Sequence, residues 1–130
     1  SMLRSMLKEA HRVLKIKGEL LITLPNPETL DQKTSFRWTH WQEGQTFAAL
    51  EPGNPIIRKI MQASGEIATV TNYYWPRNII ISLAKEEILE LSALREPVAS
   101  DKDLHKYESQ LEPIQKLIPF FLLLKFEKIH

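Results

Sequence analysis

The residues best equipped for chemistry in this 130-residue chain lie in Phe36-Arg37-Trp38-Thr39-His40-Trp41, an aromatic cluster that includes a histidine. A histidine near neutrality can take a proton from an attacking hydroxyl or amine, which makes His40 the candidate general base; a surface or hydrogen-bonded structural histidine is the competing reading. Trp38 and Trp41 can wall a substrate pocket or, equally in keeping with their type, anchor a long loop to a core. Asn26 follows a short apolar run and a proline. It stands either at the carboxyl end of a strand, where open α/β sheets place ligands, or as a plain turn residue.

The remaining candidates point to ordinary surface roles. His11 falls on the polar side of an amphipathic helix and is expected in solvent, and His105 and His130 sit among charges near the end. No pair of histidines or carboxylates has metal-ligand spacing, and Glu86-Glu87 and Glu108 with Glu112 read as helix surface charges. The serines lack a G-x-S-x-G setting, so a hydrolase triad has no support. Cysteine is absent, which excludes disulfides and thiol chemistry and suits a cytoplasmic protein. Tyr73-Tyr74-Trp75 has the residue types of a base-stacking platform. Seventeen basic against sixteen acidic side chains leave a net charge of +1 and no basic stripe, so nucleic acid is not an expected partner. The longest apolar run, Leu117 to Leu124, is broken by Pro119 and is far short of the roughly 20 residues of a membrane span, so no membrane partner is expected either.

The elements that must position these residues begin with Leu7 to Asn26. Leu3, Met6, Leu7, Ala10, Val13 and Leu14 recur at helical spacing, with Arg4, Lys8, Glu9, Arg12 and Lys15 opposite, and Gly18 stops the helix. Glu19 to Leu24 is a nearly continuous apolar run, the pattern of a strand covered on both faces, and Pro25-Asn26 closes it. Residues 27–53 read as a long connection with a short helix near Phe47 to Leu50. Asn54-Pro55 then reads as a helix start, with Ile56, Ile57, Ile60 and Met61 as its buried stripe and Gly65 as its C-terminal stop. Ile67 to Trp75, β-branched and aromatic, predicts a strand. From Ile79 a helix capped by Asn78 is preferred over a strand, through Ala84, Ile88 and Leu91 toward Leu94. A further helix, capped by Asp103, carries Leu104, Tyr107 and Leu111. Phe120 to Glu127 predicts the last strand.

Leu-x-Glu-Ala-x-Arg-Val-Leu-Lys, a glycine turn, an apolar strand and Pro-Asn resemble the helix and fifth strand of class I S-adenosylmethionine-dependent methyltransferases of the small "type 11" kind. The family's turn is Lys-Pro-Gly-Gly, where this chain has Lys15-Ile16-Lys17-Gly18. The resemblance implies an α/β fold, a partial Rossmann-like methyltransferase sheet with strands corresponding to the fifth, sixth and seventh and with flanking helices. Gly18 to Leu24 would be the fifth strand, Pro27 to Gly53 the substrate-side region, Pro55 to Ser64 a helix, Ile67 to Trp75 the sixth strand and Phe120 to Glu127 the seventh, inserted antiparallel between them, with Ile79 to Leu83 the other segment that could return into the sheet. The family's Gly-Phe after that helix is here Gly65-Glu66. Residues 1–130 would form a single domain, the C-terminal substrate-side half of the fold, with 27–53 a long loop and 77–118 a helical insertion.

The same resemblance puts the first four strands upstream of Ser1. The family holds its cofactor on a glycine-rich turn and an acidic residue, and no G-x-G occurs among Gly18, Gly44, Gly53 and Gly65. S-adenosylmethionine is therefore implied for the whole protein, acting on a small-molecule, sugar or lipid acceptor, and is not expected to bind this chain alone. A fifth strand without a fourth exposes an apolar edge, so Leu20 to Leu24 is expected to form a homodimer or a swapped sheet. The alternative from another class is a non-catalytic interaction module that uses that edge or the aromatic loop to hold a partner.

Overall fold

The computed structural model describes residues 1–27, 29, 39–41, 44–106, 118, 119 and 121–130, with residues 39–41 described by their backbone. The chain divides into two compact units: Ser1–Leu24 with Trp75–Glu96 and Phe121–His130, and Pro25–Tyr74 with Pro97–Phe120.

The first unit opens with α1 (Met2–Val13), whose first turn is capped by Ser1, the hydroxyl accepting from the Arg4 amide at 3.3 Å. Leu3 and Leu7 are its buried residues, while Met6 and Val13, expected on the same stripe, are exposed. The helix stops four residues before Gly18, at Leu14, which is already extended. Its last carbonyls are satisfied from outside: the Lys128 ammonium donates to His11 O at 2.7 Å and to Leu14 O at 2.8 Å. The turn that follows places Lys17 at a φ of 64°, and Gly18 fits because a Cβ there would stand 2.7 Å from the Lys15 carbonyl oxygen.

Strands β1 (Glu19–Pro25), β5 (Leu89–Arg95) and β6 (Phe121–Lys128) form a sheet in the order β1-β6-β5. β6 runs antiparallel to β5. Lys17 N donates to Lys128 O at 2.8 Å and Lys128 N to Gly18 O at 2.9 Å, so the start of β1 meets the end of β6, and β6 is reversed against both neighbours. Glu19 and Lys125 pair across this junction at 2.9 Å. A bulge at Ser92 interrupts the other pairing between Leu91 and Ala93.

One face of this sheet carries the core. Leu89, Leu124 and Phe126 cluster with Leu3 and Leu7 of α1 and with Ile80 and Ala84 of α2 (Arg77–Glu86); Leu20, Ile22 and Leu24 pack against the cluster. The opposite face is open: Leu21 is 71% exposed, and Phe121 and Leu123 are 37% and 38% exposed. The expectation of a strand covered on both faces is thus corrected. An apolar run reports that both faces are fit to be covered, and helices cover only one of them here.

Residues 77–118 are not wholly helical. The helix expected from Ile79 toward Leu94 is α2 over its first half, preceded by Pro76 rather than capped by Asn78, and β5 over its second. The break falls at Ile88, a β-branched residue at a φ of 62°. Beyond it the burial alternates from Leu89 to Ser92, a period of two that also satisfies the helical spacing of Leu91 and Leu94. Left-handed backbone costs an L-residue roughly 1–2 kcal/mol, part of which glycine returns as chain entropy. Ile88→Gly is expected to raise stability by about 0.5–1 kcal/mol, while Ile88→Ala, which keeps the strain, gives no such rise; urea midpoints of the two variants test this.

In the second unit β2 (Thr39–Trp41), β3 (Pro55–Met61) and β4 (Ile67–Tyr73) make an antiparallel sheet in the order β2-β3-β4. The helix expected over Pro55 to Ser64 is therefore a strand. Asn54, read as its cap, instead closes a turn, its Oδ1 accepting from Glu51 N at 2.7 Å, and Pro55 begins a strand, a position where proline is tolerated. Gly65, at a φ of 86°, turns a hairpin rather than ending a helix. Ile67 to Tyr73 is a strand as expected, but it belongs to this sheet, and the place of the sixth strand is taken by β5. The connection 27–53 contains β2 and a 3-10 turn at Phe47–Ala49. α3 (Asp101–Lys106) starts with a capping box: Ser100 Oγ accepts from Asp103 N at 3.1 Å and Asp103 Oδ2 accepts from Ser100 N at 3.1 Å. Ser100 is thus the cap and Asp103 its reciprocal partner; Tyr107 and Leu111 lie outside the described residues.

Candidate functional site

The carboxyl end of β1 is where an open α/β sheet presents ligands, and Asn26 stands there, 5% exposed. Its amide donates to the Pro119 carbonyl at 2.8 Å, and its own carbonyl accepts from the Thr29 hydroxyl at 2.6 Å and the Thr29 amide at 3.1 Å. Thr29 is itself 2% exposed. The side chain therefore fastens the segment leaving β1 to the segment that leads into β6.

The antiparallel sheet of the second unit holds the other candidates. In β2, His40 lies in register with Lys59 and Trp41 with Arg58; Trp38 lies outside the described residues. Beyond Trp41 the ladder is continued by a side chain. Gln45 Oε1 accepts from Ile57 N at 2.7 Å and its Nε2 donates to Ile57 O at 2.9 Å, so a glutamine satisfies both backbone groups of β3 as another strand would.

β3 and β4 have a wet face and a sheltered one. Ile67, Thr69, Thr71 and Tyr73 are exposed, whereas Ile56, Arg58 and Ile60 face Asn72, Val70 and Ala68 in register and are all buried or half-buried. Two polar side chains sit on this sheltered face. Burial pushes the Arg58 guanidinium below its ordinary value, and Asn72 Oδ1 is buried with no hydrogen-bond partner. Neither residue stands out in the sequence, because a helical reading of Pro55 to Ser64 puts Arg58 on a solvated side. The available signal was a charge inside the β-branched run Ile56-Ile57-Arg58-Lys59-Ile60.

The other histidines are not brought together with His40. His11 is half-buried rather than solvated, its Nε2 donating to the His130 carbonyl at 2.7 Å. A cleft of about 410 Å³ in the first unit is lined by Ile81, Lys85, Ile88, Leu89, Ile129 and His130, among others. It lies where β6 ends and β5 begins. Among the described residues no helix is long and apolar enough to cross a membrane, and no group of three histidines or acids is placed to hold a metal ion.

S-adenosylmethionine needs a glycine-rich strand-to-helix turn that lets backbone approach its ligand. Gly18 precedes β1, and Gly44 and Gly65 have open space around the position of a Cβ. The strand-to-helix turn between β4 and α2 is Tyr74-Trp75-Pro76, with no glycine. Among the described residues, none of the four glycines lies in a turn from a strand to an α-helix.

A sheet whose middle strand is reversed between two parallel neighbours, with helices on one face and an antiparallel sheet inserted after the first strand, defines the chain as part of a Rossmann-like methyltransferase fold. No family model and no curated protein sequence matches the chain. Solved structures do match, and the three that follow are described as methyltransferases. An S-adenosylmethionine-dependent methyltransferase from Mesorhizobium loti superposes with a TM-score of 0.57 at 10% identity, over 96% of this chain and 55% of that one. A protein from Listeria monocytogenes, described as an S-adenosylmethionine-dependent methyltransferase, gives a TM-score of 0.60 at 15% identity, over 96% and 54%. The CcbJ methyltransferase from Streptomyces caelestis gives 0.50 at 10%, over 98% and 50%. The chain thus has the fold of these enzymes over about half their length.

Proposed function

We propose that the chain is the substrate-side half of an S-adenosylmethionine-dependent methyltransferase of the cytoplasm, acting on a small-molecule, sugar or lipid acceptor and inactive alone. The observation that carries this reading is the order β1-β6-β5 with the reversed strand in the middle. Fold likeness to methyltransferases over about half their length supports it. The cofactor is held by the complementary half, which pairs with the free edge of β1 and covers Leu21, Phe121 and Leu123. Its binding elements come from that half because the glycines of this chain do not form a cradle. Methyl transfer then depends on holding acceptor and cofactor in line and away from water. The candidate roles of His40 as base and of Trp38 and Trp41 as pocket walls belong to the insertion of the second unit.

Left without that half, the open edge and face pair with a second copy of the chain. Sedimentation of the isolated chain at micromolar concentration is expected to show a dimer, which Leu21→Lys shifts to monomer. Calorimetry of the isolated chain with S-adenosylmethionine is expected to give no heat. When the chain is joined to the protein segment encoded upstream of it, radiolabelled methyl transfer to an acceptor panel is expected to appear. Cofactor binding at micromolar affinity by the chain alone, or no transfer by the joined protein, defeats the reading.

A further inference from the structure

The cleft of about 410 Å³ at the start of β5 is walled by Ile81, Ile88, Leu89, Leu91 and Ile129, all in the first unit. Small-molecule sites are concave, mostly apolar, and run from roughly 300 to 1,000 Å³. Ile88 is the wall that a purely structural turn has no use for. α2 ends at Glu86, and two residues on Ile88 takes a φ of 62°, the left-handed position that closes many helices and that glycine fills without penalty. A β-branched residue is among the least suited to it.

The Ile88 side chain gains little from the core in return. It is 47% exposed, while Leu89 beside it is 1% exposed. A residue that is strained and also leaves apolar surface in solvent has the marks of a ligand clamp, where the surrounding fold holds the strain in place. That hold is visible here: Ile88 N donates to Lys85 O at 3.0 Å, and Leu89 pairs with Lys128 across the sheet.

Charge narrows the ligand. Lys85 also lines the cleft and is exposed, and among the described residues no ion pair engages its ammonium; the acids that follow it, Glu86 and Glu87, meet Arg4 at 2.6 and 3.8 Å instead. Glu90 borders the cleft, but alternation along β5 puts it on the face opposite Leu89 and Leu91. His130 adjoins Ile129, and its carbonyl is taken by His11. One ammonium balances one negative charge, which a carboxylate carries and a phosphate monoester exceeds. Walls of isoleucine and leucine, with no aromatic ring among them, suit an alkyl chain better than a stacked ring.

We infer that the cleft binds an aliphatic carboxylate, its chain against Ile81, Ile88 and Ile129 and its acid group on the Lys85 ammonium. The left-handed turn is what holds the Ile88 side chain at the cleft. β5 begins here, whereas open α/β sheets hold their reacting ligands beyond the carboxyl ends of strands, so the acid is held and not transformed. This binding needs neither the cofactor nor the complementary half, and it stands apart from the methyltransferase reading.

The test uses the unaltered 130-residue chain and amide chemical-shift mapping with octanoate, octan-1-ol, octylammonium and butyrate. Octanoate is expected to shift the Ile88, Leu89 and Ile129 amides in a saturable way at millimolar concentration, a weak affinity in keeping with its few heavy atoms. Octan-1-ol keeps the chain without the charge and should bind up to about fivefold more weakly, the range of an exposed ion pair, with octylammonium weaker still. Butyrate keeps the acid with half the chain and should not saturate over the same range.

Lys85→Glu should reverse the order, so that octylammonium binds more tightly than octanoate. Ile88→Gly should weaken octanoate and octan-1-ol by one common factor of about fivefold, because it removes apolar wall and no charge, while its urea midpoint rises. A stabilised protein that binds less is what strain kept for a ligand produces. Saturable shifts confined to Leu21 and Leu123 on the open face, no saturable shift at about 10 mM octanoate, an octanoate preference that survives Lys85→Glu, or unchanged binding in Ile88→Gly overturns the inference. Methyl transfer by the joined protein has no bearing on any of these outcomes, so the two readings fail separately.

Discussion

Phe126→Ala is expected to lower the stability of the chain by about 3–5 kcal/mol, the range for truncating a fully buried aromatic residue. Phe126 is 0% exposed on the middle strand of its sheet, in one cluster with Leu7, Ile80, Ala84 and Leu124. A central strand has neighbours on both edges and cannot shift to fill the hole without disturbing two ladders. One face of this sheet is open, so a single apolar layer stabilises it, and a domain of this size has only about 5–15 kcal/mol in total. Urea denaturation of the monomeric Leu21→Lys chain, followed by circular dichroism, should show the midpoint falling, whereas Leu123→Ala, on the open face, should change it far less. Equal effects at the two positions would mean that the open face is covered in solution.

Asn26→Ala is expected to cost about 1–3 kcal/mol, because it removes the amide that donates at 2.8 Å to the part-buried Pro119 carbonyl. The prediction separates the two roles the sequence leaves open for this residue. If Asn26 is a tie between the segments flanking β1 and β6, the joined protein with Asn26→Ala loses stability, while turnover per folded molecule holds. If it contacts the acceptor, turnover or KM changes at temperatures where the protein is fully folded. The hydrogen bonds to Pro119 and Thr29 favour the first outcome.

The insertion and the candidate site were only partly legible, for a reason visible in particular residues. Ile56, Ile57 and Ile60 satisfy a helical stripe and also populate both faces of a strand, and Asn54-Pro55 starts either element. Choosing the helix put Arg58 among solvated charges, which hid the sheltered face. Leu91 and Leu94 were ambiguous in the same way. The helix could not have continued through them once Ile88 took a φ of 62°, a conformation that no residue type in that stretch announces. His40 and Trp41 stand out by their types, and the structure puts them on a strand in register with Lys59 and Arg58, within a connection whose sequence reads as a loop.

What the amino-acid sequence determined by itself was local and strongly patterned. It set the helix before Gly18, the apolar strand closed by Pro25, the strand from Ile67 and the final strand, while leaving open whether that last strand or Ile79 to Leu83 returns into the sheet. These follow from periodicity and from residues with restricted backbones, both properties of the chain within a few positions. Only the tertiary structure decided that Pro55 to Met61 pairs with Ile67 to Tyr73, that Leu89 to Arg95 takes the edge beside β6, that Leu21 faces outward, and that Arg58 and Asn72 share one face. Each of these depends on which strand supplies the partner hydrogen bonds and on which face a helix covers. A repeat of three or four apolar residues carries neither, because pairing and covering are made by residues far away in the chain.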